Sequence, residues 1–214
     1  MKERAIFIPI CLYATSFYYQ KRNIEILYSN YISKYSRCLI VIADDLRAYN
    51  LIIKNEEENI TDALVKARQK GNEIKNLVIH SLNQKEGTEI VIKKWRDFMD
   101  KPEFIAIKDI VNNEINSNNV FNNVVHEFIL FNLRKFEVQE VLESRYFEHQ
   151  YILEEIAMSI YATEILGYST ELWEKAPIDS PDPIKFLYEN STEIVKRITN
   201  KTVLTRTLIT LETK

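Results

Sequence analysis

Hydrophobic positions along this chain form short unbroken runs separated by stretches that repeat every three or four residues. Ala5 to Ile10 is the first run, β-rich and about one buried strand long. Ile24, Leu27, Tyr28, Tyr31 and Tyr35 then recur at helical spacing, and residues 38–43 form a second apolar run closed by Asp44 and Asp45. Strand, helix and strand within about 40 residues predict a βαβ unit with parallel strands and a right-handed crossover. A short helix over 46–54 and a solvated acidic turn over 55–59 follow. The next helix is capped by Thr61 and Asp62, carries one apolar face of Ile60, Leu64, Ala67, Ile74 and Val78, and is weakened by Gly71 in its interior. Residues 88–92 read as a third strand, and 95–99, 103–115 and 120–133 as helices, with the asparagine-rich 112–123 as a helix junction. Beyond these the pattern predicts a long helix over 138–160, a short strand over 171–173 and a loop over 176–183. A helix over 184–200 and an alternating strand over 203–211 complete the chain. No linker divides it, so residues 1–214 read as a single α/β domain: a mostly parallel central sheet flanked by helices.

Composition narrows the partners. With 46% hydrophobic and 28% charged residues and a net charge of −3, the chain reads as a soluble globular protein without a global basic field. The longest apolar runs fall far short of the roughly 20 residues that cross a bilayer, and the first apolar segment is too short for a signal peptide. The expected location is the cytoplasm. His80, His126 and His149 show no metal spacing with the two cysteines. Cys11 ends the first strand and Cys38 starts the second, which puts the thiols at different levels of the sheet and argues against a bridge. Only three glycines are present, so neither a dinucleotide fingerprint nor a Walker A loop can be written. An enzyme built this way needs a substrate that arrives already activated.

Three groups of residues carry candidate chemistry. Cys11 lies where an open α/β sheet places its ligands, at the carboxyl end of a strand, and reads either as a nucleophile or as a packed core thiol. Tyr151 and Glu155 are four apart on one helix face, about 5–6 Å apart at Cβ. Apolar neighbours around Glu155 would raise its pKa toward that of a general base, and the plain reading is a helix-surface pair. Lys66, Arg68, Lys70 and Lys75 form either a solvated face or a contact surface for a phosphate backbone.

Taken together, these pieces resemble the tRNA-dependent cyclodipeptide synthases, Rossmann-like enzymes related to class I aminoacyl-tRNA synthetases. The family opens with a strand ending in a nucleophilic serine, in a pattern like G-[IV]-S-x-x-N-[SP]-x-[FY]; here Pro9-Ile10-Cys11-Leu12-Tyr13-Ala14-Thr15-Ser16-Phe17 occupies that place. Its Y-[VI]-L-x-E-[LI]-P is matched by Tyr151-Ile152-Leu153-Glu154-Glu155-Ile156-Ala157, and a later Y-H-x-x-x-P by the weaker Lys175-Ala176-Pro177-Ile178-Asp179-Ser180-Pro181. The serine is replaced by Cys11, its asparagine or serine partner by Ala14, and the late tyrosine has no clear counterpart among Trp173, Glu174, Lys175 and Ala176. The resemblance implies a monomeric aminoacyltransferase, independent of ATP, cofactor and metal, that uses two aminoacyl-tRNAs per cycle to form a cyclodipeptide. It implies catalysis by Cys11, Tyr151 and Glu155. Phe7, Pro9, Ala14 and Trp173 would bind substrate, and Lys66, Arg68, Lys70 and Lys75 would contact tRNA. The departures keep two other readings in view: transfer of an aminoacyl group to a different acceptor, and a non-catalytic binding or regulatory domain.

Overall fold

The apolar runs pair edge to edge into one sheet. The computed structural model describes residues 5–12, 20–82, 87–135, 137–138, 142–174, 181–190 and 207–211. Strands β1 (Ala5–Ile10), β2 (Arg37–Ile42), β3 (Glu89–Lys94), β4 (Thr170–Glu174) and β5 (Thr207–Leu211) lie in the order β3-β2-β1-β4-β5, every pair parallel. All of β1 is buried, as an unbroken apolar run requires of a strand covered on both faces. One face packs Ile6, Ile8, Ile10 and Ile40 against α1 (Lys21–Asn30) and α3 (Ile60–Leu82). The other packs Ala5, Phe7, Leu39 and Val41 against a helical layer that includes α5 (Pro102–Ser117), α6 (Asn119–Lys135) and α7 (Leu142–Ile160). The short helices α2 (Asp44–Ile53), α4 (Arg96–Met99) and α8 (Pro183–Asn190), a 3-10 turn over Ile32–Lys34 and a π-helical turn over Tyr161–Ile165 complete the described elements. None of the described helices is long and apolar enough to cross a membrane.

The expected α/β architecture with a parallel sheet holds, and the differences are local. The helix expected from 138 starts at Leu142, and β3 runs on to Lys94 because its register with β2 continues to Ile42. Asn59, rather than Thr61 or Asp62, caps α3: its Oδ1 accepts the Asp62 N–H at 3.0 Å. Pro183 opens α8, with Asp182 Oδ1 accepting the N–H groups of Ile184 and Lys185. The later part of the helix expected over 184–200 and the first residues of the last strand lie outside the described residues.

Gly71 has a role beyond helix weakening. A Cβ there would stand 2.5 Å from the Cβ of Asp44, so glycine lets α3 approach the start of α2. The approach serves a buried polar cluster: Asp44 Oδ1 accepts the Trp95 N–H at 3.1 Å, and Lys94 Nζ reaches Asn72 Oδ1 and lies 3.9 Å from Asp44 Oδ2.

Candidate active site

β1 delivers Cys11 to the carboxyl edge of the sheet. Side chains alternate along a strand, so the odd positions Ala5, Phe7 and Pro9 face α7, and Cys11 continues that row. The ladder between β1 and β4 runs through Ile6–Thr170 and Phe7–Glu171 and stops short of Pro9, which has no N–H to extend it. Beside β2, by contrast, pairing continues to Ile10 and on to the Ala43 N–H, which donates to the Ile10 carbonyl at 3.0 Å. The end of β1 is thus held on one side and unpaired on the other, next to the point where the chain order reverses across the sheet. Ligands of open α/β sheets bind there. Cys11 is half-buried and lines a cleft with Ala43, Leu46, Arg47, Asn50 and Tyr151.

Tyr151 and Glu155 are not a surface pair. Both are buried on α7, and the Tyr151 hydroxyl donates to Glu155 Oε1 at 3.2 Å. Burial pushes the Glu155 carboxyl up to about 8; the Tyr151 hydrogen bond opposes the shift, and Asp182, Glu148 and Glu171 reinforce it. One turn further on, the Ser159 hydroxyl donates to Glu171 Oε2 at 2.9 Å, with Glu171 fully buried beside Phe7. The arrangement can hold and move a proton at Glu155, with a phenol between that carboxyl and the thiol's cleft.

The neighbouring Glu154 escaped the sequence reading. Buried on the other side of α7, it accepts from Tyr49 Oη at 3.0 Å, Trp95 Nε1 at 3.2 Å and Lys108 Nζ at 3.4 Å. It thereby ties α7 to α2, α5 and the end of β3, and holds Tyr151 in register with Cys11. The only signal in the sequence was a second charged residue beside Glu155 in an otherwise apolar stretch, Ile152-Leu153 before the pair and Ile156-Ala157-Met158 after it.

The remaining expected residues divide. Phe7 and Pro9 are buried on the row that leads to Cys11. Trp173 lies in β4, two residues beyond Glu171, while Ala14, Lys175 and Ala176 lie outside the described residues. The four cations of α3 do not share one face. At about 100° per residue, Lys66 and Lys70 fall on one flank of the buried stripe and Arg68 and Lys75 on the other. Lys66 pairs with Glu57 at 2.8 Å, Lys70 with Glu73 at 2.8 Å, and Arg68 grips both oxygens of Asp45 at 2.8 and 2.9 Å. No group of three or more His, Cys, Asp and Glu among the described residues is arranged to hold a metal ion.

At the level of sequence, no protein-family model and no curated protein matches the chain. Solved structures do. A cyclodipeptide synthase from Fluoribacter dumoffii superposes with a TM-score of 0.75 at 16% identity, covering 95% of this chain and 88% of its own. One from Staphylococcus haemolyticus gives 0.74 at 16% identity, over 100% of this chain and 92% of its own. A Mycobacterium tuberculosis protein, whose structure relates cyclodipeptide synthetases to type I tRNA synthetases, gives 0.66 at 12% identity over 81% and 73%. The resemblance read from the sequence therefore holds for the fold.

Proposed function

We propose that this chain, which has the Rossmann-like fold of cyclodipeptide synthases, is an aminoacyl-tRNA-dependent transferase that forms a cyclodipeptide through a thioester on Cys11. The observation that carries the reading is the shared cleft: Cys11 lines it together with Tyr151, whose hydroxyl is bonded to the buried Glu155. The sulfur attacks the ester carbonyl of a first aminoacyl-tRNA; a C–S bond forms, the bond to the ribose oxygen breaks, and that oxygen leaves as a hydroxyl carrying the proton that the thiol gave up. The bound residue's ammonium gives one proton to Glu155, and the free amine attacks the ester of a second aminoacyl-tRNA; the peptide bond forms, the bond to the second ribose oxygen breaks, and that oxygen leaves with the remaining proton of the attacking nitrogen. The free amine of the dipeptide finally attacks the thioester, the C–S bond breaks, and the ring leaves. Each step exchanges one activated acyl bond for another or for an amide, so no ATP enters the balance.

A carboxyl pushed up to about 8 suits this part, because it can both take and return a proton near neutral pH. Arg47 supplies positive charge on the cleft wall, where negative charge builds on the sulfur and the carbonyl oxygen. The cleft's free volume is about 10 Å3, room for one water, so productive binding needs the cleft to widen. Phe7, Pro9, Ala14 and Trp173 remain the proposed substrate contacts. The unshared charge left on α3 would have to meet the tRNA, with Lys66, Arg68 and Lys70 exchanging carboxylates for phosphates.

Incubation with labelled aminoacyl-tRNAs tests the reading. The expected result is a mass adduct of one aminoacyl residue on Cys11, absent in Cys11→Ala, with a diketopiperazine released. Absence of adduct and product with every aminoacyl-tRNA overturns it.

A further inference from the structure

The Cys11 cleft contains an amide that packing does not explain. Ala43, Leu46, Arg47 and Asn50 line it at helical spacing, on the face that α2 turns toward Cys11 and Tyr151. Leu46 and Ile53 belong to the apolar core, and Asn50 stands between them on the same buried stripe, 4% exposed. Packing at such a position favours an apolar side chain. An asparagine there weakens the helix and has to shed its water on folding.

Nothing in the fold offsets that cost. Among the described residues the Asn50 side chain makes no hydrogen bond, whereas the polar groups beside it are engaged. Tyr49 donates to Glu154, the Tyr151 hydroxyl donates to Glu155, and Arg47 lies 3.9 Å from Glu56. Neither amide atom of Asn50 is sealed in without a partner, so the little surface the residue keeps lies at the amide and opens into the cleft. The free space there is about 10 Å3, the size of a single water, and the lining groups surround it. An uncommitted buried amide at such a place calls for a ligand atom.

We infer that Asn50 is a catalytic residue, whose Nδ2 donates to the carbonyl oxygen of the acyl group that Cys11 attacks. This rests on the reading of Cys11 as an acyl-accepting nucleophile, and it holds whatever the amino acid. As the C–S bond forms, the π pair of the carbonyl moves onto its oxygen, and the amide N–H holds the growing charge. The pair returns to the C=O bond as the ester C–O bond breaks, and the leaving oxygen departs with the proton that the thiol gave up. The same donor serves when the dipeptide amine attacks the thioester carbonyl. Tyr151 is not free for this part, because its hydroxyl already donates to Glu155. A fixed neutral donor suits an oxyanion in a dry cleft: it needs no reorganisation as charge appears and no buried counter-charge.

Two cysteine reagents test this on the full chain. p-Nitrophenyl acetate acylates a thiolate through a tetrahedral oxyanion and releases nitrophenolate. Iodoacetamide loses iodide from a saturated carbon and builds no charge on a carbonyl oxygen. The expected wild-type result is an acetyl adduct on Cys11 by peptide mapping, with a release of nitrophenolate that Cys11→Ala lacks. In Asn50→Ala this acylation is expected to slow about 10²-fold, while alkylation of Cys11 keeps its rate. Asn50→Asp keeps the shape, removes the N–H and is expected to slow acylation at least as much. Because no hydrogen bond is broken, the urea midpoint of Asn50→Ala is expected to be no lower than that of the wild type. Acylation slowed less than about tenfold, equal slowing of acylation and alkylation, or no acetyl adduct on wild-type Cys11 overturns the inference. If Asn50→Ala does not fold, the same comparison in Asn50→Asp decides. Acetylation that depends on Asn50, in a protein that no aminoacyl-tRNA acylates, upholds the inference and overturns the tRNA reading alone.

Discussion

Cys38 packs in β2 among Ile6, Ile8 and Ile40 with no exposed surface, and burial pushes its thiol far above neutrality. Cys11, half-buried at the end of β1, keeps access to its cleft. Reactivity follows access and thiolate character, so native protein treated with iodoacetamide near pH 7.5 is expected to label Cys11 and to spare Cys38 until it is unfolded. Peptide mapping that finds the two labelled at equal rates would count against a nucleophilic Cys11. Glu155 yields a second residue-scale outcome. As a base it must be ionised, so single-turnover transfer is expected to rise with pH to a plateau above about 8, the value to which burial pushes it. Glu155→Gln should remove that limb and slow transfer by about 10²-fold or more. A profile that keeps the limb in Glu155→Gln assigns it to another group.

At the scale of elements, the site depends on how α7 and α3 are seated. Glu154 gathers three donors from three directions, and Glu154→Ala leaves the indole of Trp95 and the ammonium of Lys108 without their acceptor. The expected loss is about 2–4 kcal/mol in urea unfolding, with slower Cys11 acylation because Tyr151 rides on the same helix. A loss within 0.5 kcal/mol or so, the usual range for a surface site, would show that the hub contributes little. Gly71→Ala sets propensity against packing. Alanine gains about 1 kcal/mol as a helix former, yet its Cβ meets Asp44 at 2.5 Å, and overpacking of that kind costs about 1–3 kcal/mol or more. Net destabilisation in chemical unfolding is expected, and a stabilised variant would mean that α2 moves away freely.

For the whole molecule, buried carboxyls tie stability to pH. Glu148 and Glu155 ionise at about 7 and about 8 when folded, against about 4.3 in the unfolded chain. Folding takes up protons between those limits, so stability falls as pH rises, by up to about 1.4 kcal/mol per unit for each group, and levels off above the folded values. His149, lowered by burial, pulls the other way only while it is still charged when unfolded. From pH 7 to 8.5 the melting temperature is therefore expected to drop, and Glu148→Gln with Glu155→Gln should flatten the drop. An unchanged slope in the double variant would locate the proton uptake elsewhere.

Sequence alone determined the frame. Unbroken β-rich runs separated by helical periodicity specify a buried parallel sheet with helices on both faces, and they put Cys11 at a carboxyl end, because burial pattern and period are local properties of the chain. The spacing of Tyr151 and Glu155 likewise determined that they share a helix face. What the sequence could not determine is what each face meets. Whether Glu155 is wet or dry, which donors find Glu154, why Gly71 is glycine, and that Arg68 already grips Asp45 were decided by residues far apart in the chain. Helix packing brings those groups within hydrogen-bonding reach, and no spacing along the sequence encodes a distance across the core.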